Sequence, residues 1–479
     1  METFEAGIDE IVRAGSSGGS DATARARARI DDLDPHLNAF VETRPPSSSG
    51  SASGPLAGVP VAIKDMFVDR DRAPTVGSRV HGTGMSGTAE VIRRLEAAGA
   101  SIVGYTNLHE WAIGSTSAVT ATGPIRNPID VAHMAGGSSG GSAVAVASGM
   151  ACAAVGTDAG GSVRVPSACC GVVGLKPTWG AVPVEGWVEG VSAIDHIGPI
   201  ARSVGDVRTM FSVMSARSVD EPSVRDVRIG FARNLFATSG PSIVATIYSA
   251  VDLLGPHVAR IREVEVSDAE LASYAIGMLL LPHTARLVAR ALRDEPSSFE
   301  PITLRLLQVG RAIADVGEGC DTSHHRLIVE MRKALPKSFL QFPRMPKTAQ
   351  RRIGKHIFNE GQGRIARARA ERGWAKAFDE VDVVVSPTLP GPPPRLDDLR
   401  FDLPSGKVAS DEALLPLLGS MNLAGLPSLS VPCGENDGGW PVSLCLTAAR
   451  GRDDLVLAVG EKLEAALEGR YANRVITPA

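Results

Sequence analysis

The order of apolar and polar residues predicts alternating strands and helices in the first part of the chain. Residues 56–63 (LAGVPVAI) are apolar and rich in branched side chains, which is typical of a buried strand. Between Thr88 and Gly99 the apolar positions fall at helical spacing, and the glycine provides a stop. Residues 101–104 (SIVG) indicate a second buried strand. Strand, helix and strand in this order predict a βαβ unit and a mostly parallel sheet.

Later segments extend the same pattern. Residues 22–33 predict a helix that ends near Asp34-Pro35. The residue pattern between about 235 and 375 predicts a mainly helical segment. Further strands are predicted at 381–386, 428–432 and 442–446, before a final helix from Leu455 to Leu467 in which apolar residues recur every four positions. We expect one domain, 1–479, built as an α/β sandwich around a large mixed, mostly parallel sheet. Residues 235–375 would form a helical elaboration over one side of it.

Composition and charge narrow the class of protein. The 479 residues are 44% hydrophobic and 21% charged, with a net charge of −4, which argues against nucleic-acid binding through bulk positive charge. The six cysteines show no C-x-x-C spacing and are interpreted as reduced thiols. The first fifteen residues lack the apolar core of a secretory signal, and the most apolar stretch, 143–155, is too short to span a bilayer. We expect a cytoplasmic protein without nucleic-acid or membrane partners.

The segment 135–174 is dense in glycine and serine, which indicates either close backbone packing or a ligand site. A Walker loop needs a Gly-Lys-Ser/Thr ending, but no lysine lies between Lys64 and Lys176, so a phosphate site is disfavoured. Covalent catalysis is the alternative, because backbone N–H groups beside a serine after Gly160-Gly161 can stabilise an oxyanion. Lys64 ends an apolar strand, where burial would lower its pKa enough for it to act as a base. Taken alone, such a serine is usually structural and such a lysine is usually a surface charge.

Residues 136–178 (GGSSGGSAVAVASGMACAAVGTDAGGSVRVPSACCGVVGLKPT) resemble the signature of the amidase-signature family. The segments 58–65 (GVPVAIKD), 98–112, 194–203 and 422–434 also resemble blocks of that family. The similarity covers most of the chain and is weak between about 235 and 375. It implies the family's α/β/α sandwich and a serine hydrolase that cleaves amide C–N bonds without metal or cofactor.

The resemblance also assigns roles to individual residues. It implies that Ser162 is the nucleophile, that Ser138, after a cis peptide bond, relays protons, and that Lys64 is the terminal base. The oxyanion hole would be formed by the backbone N–H groups of Ala159, Gly160, Gly161 and Ser162. The residues expected to support the site structurally are Ser139, Asp158 and Arg164.

Three functions remain open at this point. The first is a stand-alone amidohydrolase acting on a small aliphatic, aryl or ureido amide, with a homodimer as one possible assembly. The second is the A subunit of a glutamine-dependent tRNA amidotransferase, which would use the same three residues and need partner subunits. The third is a non-catalytic binding protein that retains the fold. Residues 332–376 hold thirteen Lys and Arg against two Glu, which indicates a solvated cationic helix or, alternatively, a basic rim for an anionic substrate, an acidic partner or RNA.

Overall fold

A computed structural model of the protein describes residues 2–4, 6–45, 53–70, 72–80, 85–188, 194–317, 360–468, 470 and 474–476. The strands are β1 (Glu2–Phe4), β2 (Phe40–Thr43), β3 (Pro60–Lys64), β4 (Ser101–Thr106), β5 (Ala153–Asp158), β6 (Val173–Lys176), β7 (His196–Ala201), β8 (Arg228–Ala232), β9 (Arg260–Val264), β10 (Val383–Pro387), β11 (Arg400–Leu403), β12 (Gly406–Ala409), β13 (Ser428–Glu435), β14 (Pro441–Ala448) and β15 (Arg474–Ile476). The helices are α1 (Ile8–Arg13), α2 (Gly15–Leu37), α3 (Glu90–Ala97), α4 (Gly140–Ala147), α5 (Arg164–Cys170), α6 (Val204–Ser215), α7 (Arg233–Phe236), α8 (Pro241–Asp252), α9 (Ala272–Leu287), α10 (Ala289–Asp294), α11 (Pro301–Gly317), α12 (Glu360–Glu380), α13 (Ser410–Leu423) and α14 (Asp453–Ala466). Within these ranges, no helix is both long and apolar enough to cross a membrane.

Eleven strands form one sheet in the order β2-β4-β3-β5-β7-β6-β13-β14-β10-β8-β9. The predicted βαβ unit is confirmed, since β3 and β4 pair in parallel with α3 between them in the chain. The sheet is mixed, as expected, but the prediction that it is mostly parallel is wrong. Of its ten strand pairings in the described residues, four are parallel and six are antiparallel. Short connections explain part of this, because a loop as short as residues 436–440 between β13 and β14 can join only antiparallel neighbours.

Helices cover both faces of this sheet, as strand β3 illustrates. All five of its residues are buried. Because successive side chains point to opposite faces, Val61 and Ile63 join one apolar cluster and Ala62 joins the other. The first cluster includes residues of α3, α6 and α14, and the second includes residues of α2, α4 and α5. The predicted α/β/α layering is therefore confirmed.

The first long helix ends close to the predicted Asp34-Pro35, two residues beyond the proline. Helix α2 contains Pro35 and continues to Leu37, and Asn38 then takes a left-handed conformation with φ 57°. The carboxylate of Asp34 accepts the backbone N–H groups of Ala39 and Phe40 at 2.7 and 3.0 Å. Asp34 therefore lies in the last turn of the helix, and its side chain binds the backbone that follows the helix.

Between residues 235 and 375 the described chain is mainly helical, in agreement with the prediction from the residue pattern. Strand β9 lies in the same interval and forms an edge of the large sheet. The interval therefore contributes to the sheet as well as to the helices packed on it. Residues 318–359, including Cys320 and the cationic residues Arg351, Arg352 and Lys355, lie outside the described residues.

Parallel pairing of β3 with β5 places the carboxyl ends of these two strands side by side. Lys64 ends β3 and Asp158 ends β5. Helix α4 begins beside them and packs very closely on its neighbours. A Cβ atom on its Gly141 would lie 2.3 Å from the carbonyl oxygen of Ala39 and 2.5 Å from that of Asn107. Only glycine fits there, which explains part of the glycine density of this segment.

We predict that Gly141→Ala lowers the free energy of unfolding by about 3 kcal/mol, because the added methyl group meets backbone atoms that cannot rotate away. Gly277→Ala is the matched control, since Gly277 also lies in a helix but has no atom within 4 Å of the place that a methyl group would take. It should be neutral or stabilising by up to ~1 kcal/mol. Urea unfolding followed by circular dichroism measures both, and equal effects would contradict the close packing of α4.

Candidate active site

Lys64 is fully buried at the end of β3 and its amine is surrounded by hydroxyl groups. Its Nζ donates to Ser138 Oγ at 2.8 Å, to Ser139 Oγ at 2.9 Å and to Thr157 Oγ1 at 2.7 Å. Ser138 was expected beside this lysine and Ser139 was expected to support the site, whereas sequence reasoning did not single out Thr157. Thr157 directly precedes Asp158 at the end of β5, and its strand position was the available signal.

Burial lowers the pKa of Lys64 to about 7. The negative charges of Asp158 and Asp195 oppose this shift only in part. Neutral hydroxyl groups satisfy the N–H donors without favouring the charged form as strongly as a carboxylate in contact would. A substantial fraction of this lysine is therefore neutral near pH 7, as a base must be.

The hydroxyl groups around the amine differ in where their protons go. Ser139 Oγ donates to the carbonyl oxygen of Thr157 at 3.1 Å, and Thr157 Oγ1 contacts the sulfur of Met66 at 3.5 Å. Among the described residues, Ser138 Oγ has Lys64 Nζ as its only hydrogen-bond partner. Its proton is therefore the one most readily exchanged with the amine. The peptide bond between Gly137 and Ser138 is cis, in agreement with what the resemblance implied.

Ser162 follows a loop that the carboxylate of Asp158 holds in place. Asp158 Oδ1 accepts the N–H of Gly161 at 2.7 Å, and Oδ2 accepts the N–H of Val163 at 3.1 Å. Ser162 thus lies between two anchored residues. Gly161 has φ +125°, a conformation that side chains rarely adopt, and a Cβ there would lie 2.9 Å from Leu418 Cδ1.

This anchoring corrects one predicted oxyanion donor. The N–H of Gly161 is already donated to Asp158, so it is not free to face a substrate. The N–H groups of Ala159, Gly160 and Ser162 have no acceptor within the described part of the chain, and all three residues line the same cavity. They remain the candidate donors for an oxyanion.

Asp158, which holds this loop, is itself part of a buried ion pair beneath the loop. Arg164 binds Asp158 through two nitrogens, both at 3.0 Å, and both side chains are fully buried. Asn422 donates to Asp158 Oδ1 at 2.8 Å. Burial alone would raise the pKa of Asp158, but Arg164, with Lys176 and Asn422, outweighs it and holds that pKa well below its usual range. Asn422 lies in the segment 422–434, which resembles a block of the family. The resemblance assigned no role to this residue.

Two cavities meet at Ser162. The larger, of about 160 Å³, is mostly apolar, with Asp411 and Glu412 among its lining residues. Its apolar wall is formed by Ile113, Ile276, Leu280, Leu281, Leu306 and Leu415. The smaller, of about 20 Å³, is lined by Ser138 and by the indole rings of Trp111 and Trp187. The serine hydroxyl is therefore accessible from two sides.

Other candidate chemistry is sparse in the described residues. No group of three or more His, Cys, Asp or Glu side chains in the described ranges is arranged to hold a metal ion. The described cysteines Cys152, Cys169, Cys170, Cys433 and Cys445 are buried thiols. Cys169 and Cys170 lie in one of the two apolar clusters, where they pack as small core residues.

We predict that Asp158→Asn lowers the free energy of unfolding by about 3 to 5 kcal/mol, because it leaves the buried Arg164 guanidinium without its counter-charge. Asp382→Asn is the control. Asp382 pairs with Arg228 at 2.7 Å, but both side chains are about one third exposed, so the loss should be below about 1 kcal/mol. Urea unfolding of both variants tests the difference, and a loss no greater for Asp158→Asn would contradict it.

Known proteins share the sequence pattern and the fold of this chain. A family model described as Amidase matches residues 21–457. The chain is 34% identical over 439 residues to the A subunit of the glutamyl-tRNA(Gln) amidotransferase of Deinococcus radiodurans, over 86% of this chain and 84% of the relative. The corresponding A subunit from Thermobifida fusca is 32% identical over 517 residues, over 100% and 98% of the two chains. A solved amidase structure superposes with a TM-score of 0.80 at 28% identity, over 98% of this chain and 100% of that one. The chain belongs to the amidase-signature family.

Proposed function

We propose that this protein is an amidohydrolase that cleaves a small-molecule amide to a carboxylate and ammonia or an amine. Ser162 would be the nucleophile, Ser138 the proton relay and Lys64 the base. The observation that carries the proposal is the buried lysine, whose amine lies 2.8 Å from Ser138 Oγ and has a pKa of about 7. A lysine in this state has little structural use and suits general base catalysis near neutral pH.

The reaction would proceed in two balanced steps. In the first, Ser162 Oγ bonds to the carbonyl carbon and loses its proton to Ser138, which passes a proton to Lys64. As the C–N bond breaks, Ser138 donates a proton to the leaving nitrogen and recovers one from Lys64. In the second, water attacks the acyl-enzyme and its protons restore Ser162 and the carboxylic acid. The N–H groups of Ala159, Gly160 and Ser162 would hold the oxyanion in both steps.

The larger cavity supports an apolar acyl group. Its walls are mainly aliphatic side chains of α9, α11 and α13, and it reaches the three candidate oxyanion donors. The charged residues that line it in the described part of the chain, Asp411 and Glu412, are acidic. An aliphatic or aryl acyl chain fits such a surface better than an anionic one, because a buried carboxylate needs a cationic partner.

A second candidate is the glutamine-hydrolysing role of an amidotransferase A subunit. The names of the curated relatives favour it, at 32% to 34% identity over most of the chain. The ammonium group of glutamine could meet Asp411 or Glu412, but its carboxylate would find no lysine or arginine among the described lining residues. The cavity therefore favours the first candidate and the relatives favour the second.

We predict that kcat/KM rises with pH through about 7 and then levels, because Lys64 accepts a proton only when neutral and is neutral above its pKa. Lys64→Met should remove this limb and lower the rate by about 10²- to 10⁴-fold. Circular dichroism would confirm that the variant folds. A variant that keeps the wild-type pH limb would exclude Lys64 as the base.

We predict that a serine-directed phosphonate labels Ser162, and that Ser162→Ala loses both labelling and turnover. Ser138→Ala should turn over more slowly than wild type but still label at Ser162, because Ser138 moves protons without bonding the substrate. Ser139→Ala is the matched control for the loss of a hydroxyl group beside Lys64. Ser139 also contacts Lys64, but it donates its own proton to a backbone carbonyl. Peptide mapping of the adduct reads out the site, and phosphonate on Ser138 or Ser139 of the wild type would show that the nucleophile is misassigned.

We predict that the purified chain alone releases ammonia from hexanamide with a kcat/KM at least about tenfold above that for glutamine, because its larger cavity is apolar. An ammonia assay measures both. Preference for glutamine, or activity that requires partner subunits, would favour the amidotransferase role instead.

A further inference from the structure

The two cavities at Ser162 differ in which catalytic groups they reach. Ser162 and Ala159 line both. Gly160, a candidate oxyanion donor, lines the larger one, whereas Ser138 and Thr157 line the smaller one. The site therefore has an acyl side and a proton-relay side, separated by the nucleophile.

The leaving nitrogen must face the relay side. In the proposed reaction the nitrogen takes its proton from Ser138 Oγ as the C–N bond breaks, and a proton transfer requires hydrogen-bond contact. Of the two cavities, Ser138 lines only the smaller. Any substituent on the nitrogen would have to occupy that space.

The smaller cavity has room for little more than a single water molecule. Its volume is about 20 Å³, and a water needs at least about 10–15 Å³ on this measure. Bulky side chains narrow it, among them Trp111 and Trp187, which are 7% and 4% exposed. Thr284 and Leu287, from the last turn of α9, form another part of the wall.

We propose that the leaving group of this enzyme is ammonia, so that its substrates are primary amides and N-substituted amides are excluded. This inference rests on the proposed amidohydrolase function. It specifies the leaving group, whereas the larger cavity specifies only the acyl group. It holds for either acyl group considered above, because the side-chain amide of glutamine is also primary.

The same space suits the water of the second step. After ammonia leaves, a water molecule of similar size takes its place beside Ser138 and attacks the acyl carbon. The buried Nε1 groups of Trp111 and Trp187 have no hydrogen-bond acceptor among the described residues. Both rings belong to the wall of this cavity, and an unsatisfied buried donor is better served by a small polar molecule than by an alkyl or aryl substituent.

Three amides with one acyl group test the proposal: hexanamide, N-methylhexanamide and hexananilide. We expect kcat/KM for the N-methyl amide to be about 10- to 100-fold below that for the primary amide, since one added methyl group overfills the cavity. The anilide should not react measurably. Comparable rates for the anilide and the primary amide would overturn the proposal while leaving the amidohydrolase function intact. No turnover of any amide, with a phosphonate that fails to label Ser162, would instead reject the function itself.

Widening the cavity provides a second test. Leu287 is 48% exposed and lines the smaller cavity, so Leu287→Ala should open it without disturbing the fold. We expect the ratio of kcat/KM for the N-methyl amide to that for the primary amide to rise about tenfold. Leu253→Ala is the matched control, because Leu253 is 44% exposed and lines neither cavity. Thr284→Ser removes one methyl group from the same wall and should move the ratio in the same direction. An unchanged ratio in both wall variants would show that this wall does not select the leaving group.

Discussion

The site depends on one constraint, which is that a lysine amine is held in the interior with hydroxyl groups as its direct partners. Desolvation lowers the pKa of Lys64 only while neighbouring carboxylates are kept from compensating it. Asp158 is close enough to influence that pKa, yet its oxygens are occupied by Arg164, Asn422 and two backbone N–H groups. The ion pair beneath the loop therefore has two effects. It fixes the backbone around Ser162, and it balances a negative charge that would otherwise favour the ammonium form of Lys64.

Glycine makes this arrangement possible because the elements that carry the site approach one another more closely than side chains allow. Gly141 lets α4 lie against the backbone of Ala39 and Asn107, and Gly161 lets the loop before Ser162 turn beneath Leu418. Both contacts bring elements distant in sequence to the ends of β3 and β5. The hydroxyl groups of Ser138, Ser139 and Thr157 can then surround one amine. Dense glycine in this segment is therefore a packing requirement that serves the chemistry, rather than a sign of flexibility.

Sequence reasoning was strongest where a residue's surroundings are local. The strand before Lys64, the following helix and the final amphipathic helix all have patterns that a single segment displays, and each is present in the structure. It failed where the outcome depends on distant partners. Strand direction depends on which strands become neighbours, and β6 pairs antiparallel with β13, some 250 residues later in the chain. One βαβ unit was therefore not enough to predict a mostly parallel sheet. The N–H of Gly161 was misjudged for a similar reason, since its acceptor is a side chain that the glycine pattern alone does not reveal.

Strands β1 and β15 form a separate small sheet. Strand β1 pairs antiparallel with β15, with Glu2 opposite Ile476 and Phe4 opposite Arg474. Val475 is fully buried, and its Cγ1 lies 3.1 Å from where a Cβ on Gly149 would be, just beyond the end of α4. Because some 470 residues separate the two strands, their pairing is among the contacts of largest sequence separation in the fold and is costly to form early. On the ribosome this pairing cannot form before residues 474–476 have been made, so the packing of Val475 beside α4 is a late contact of folding.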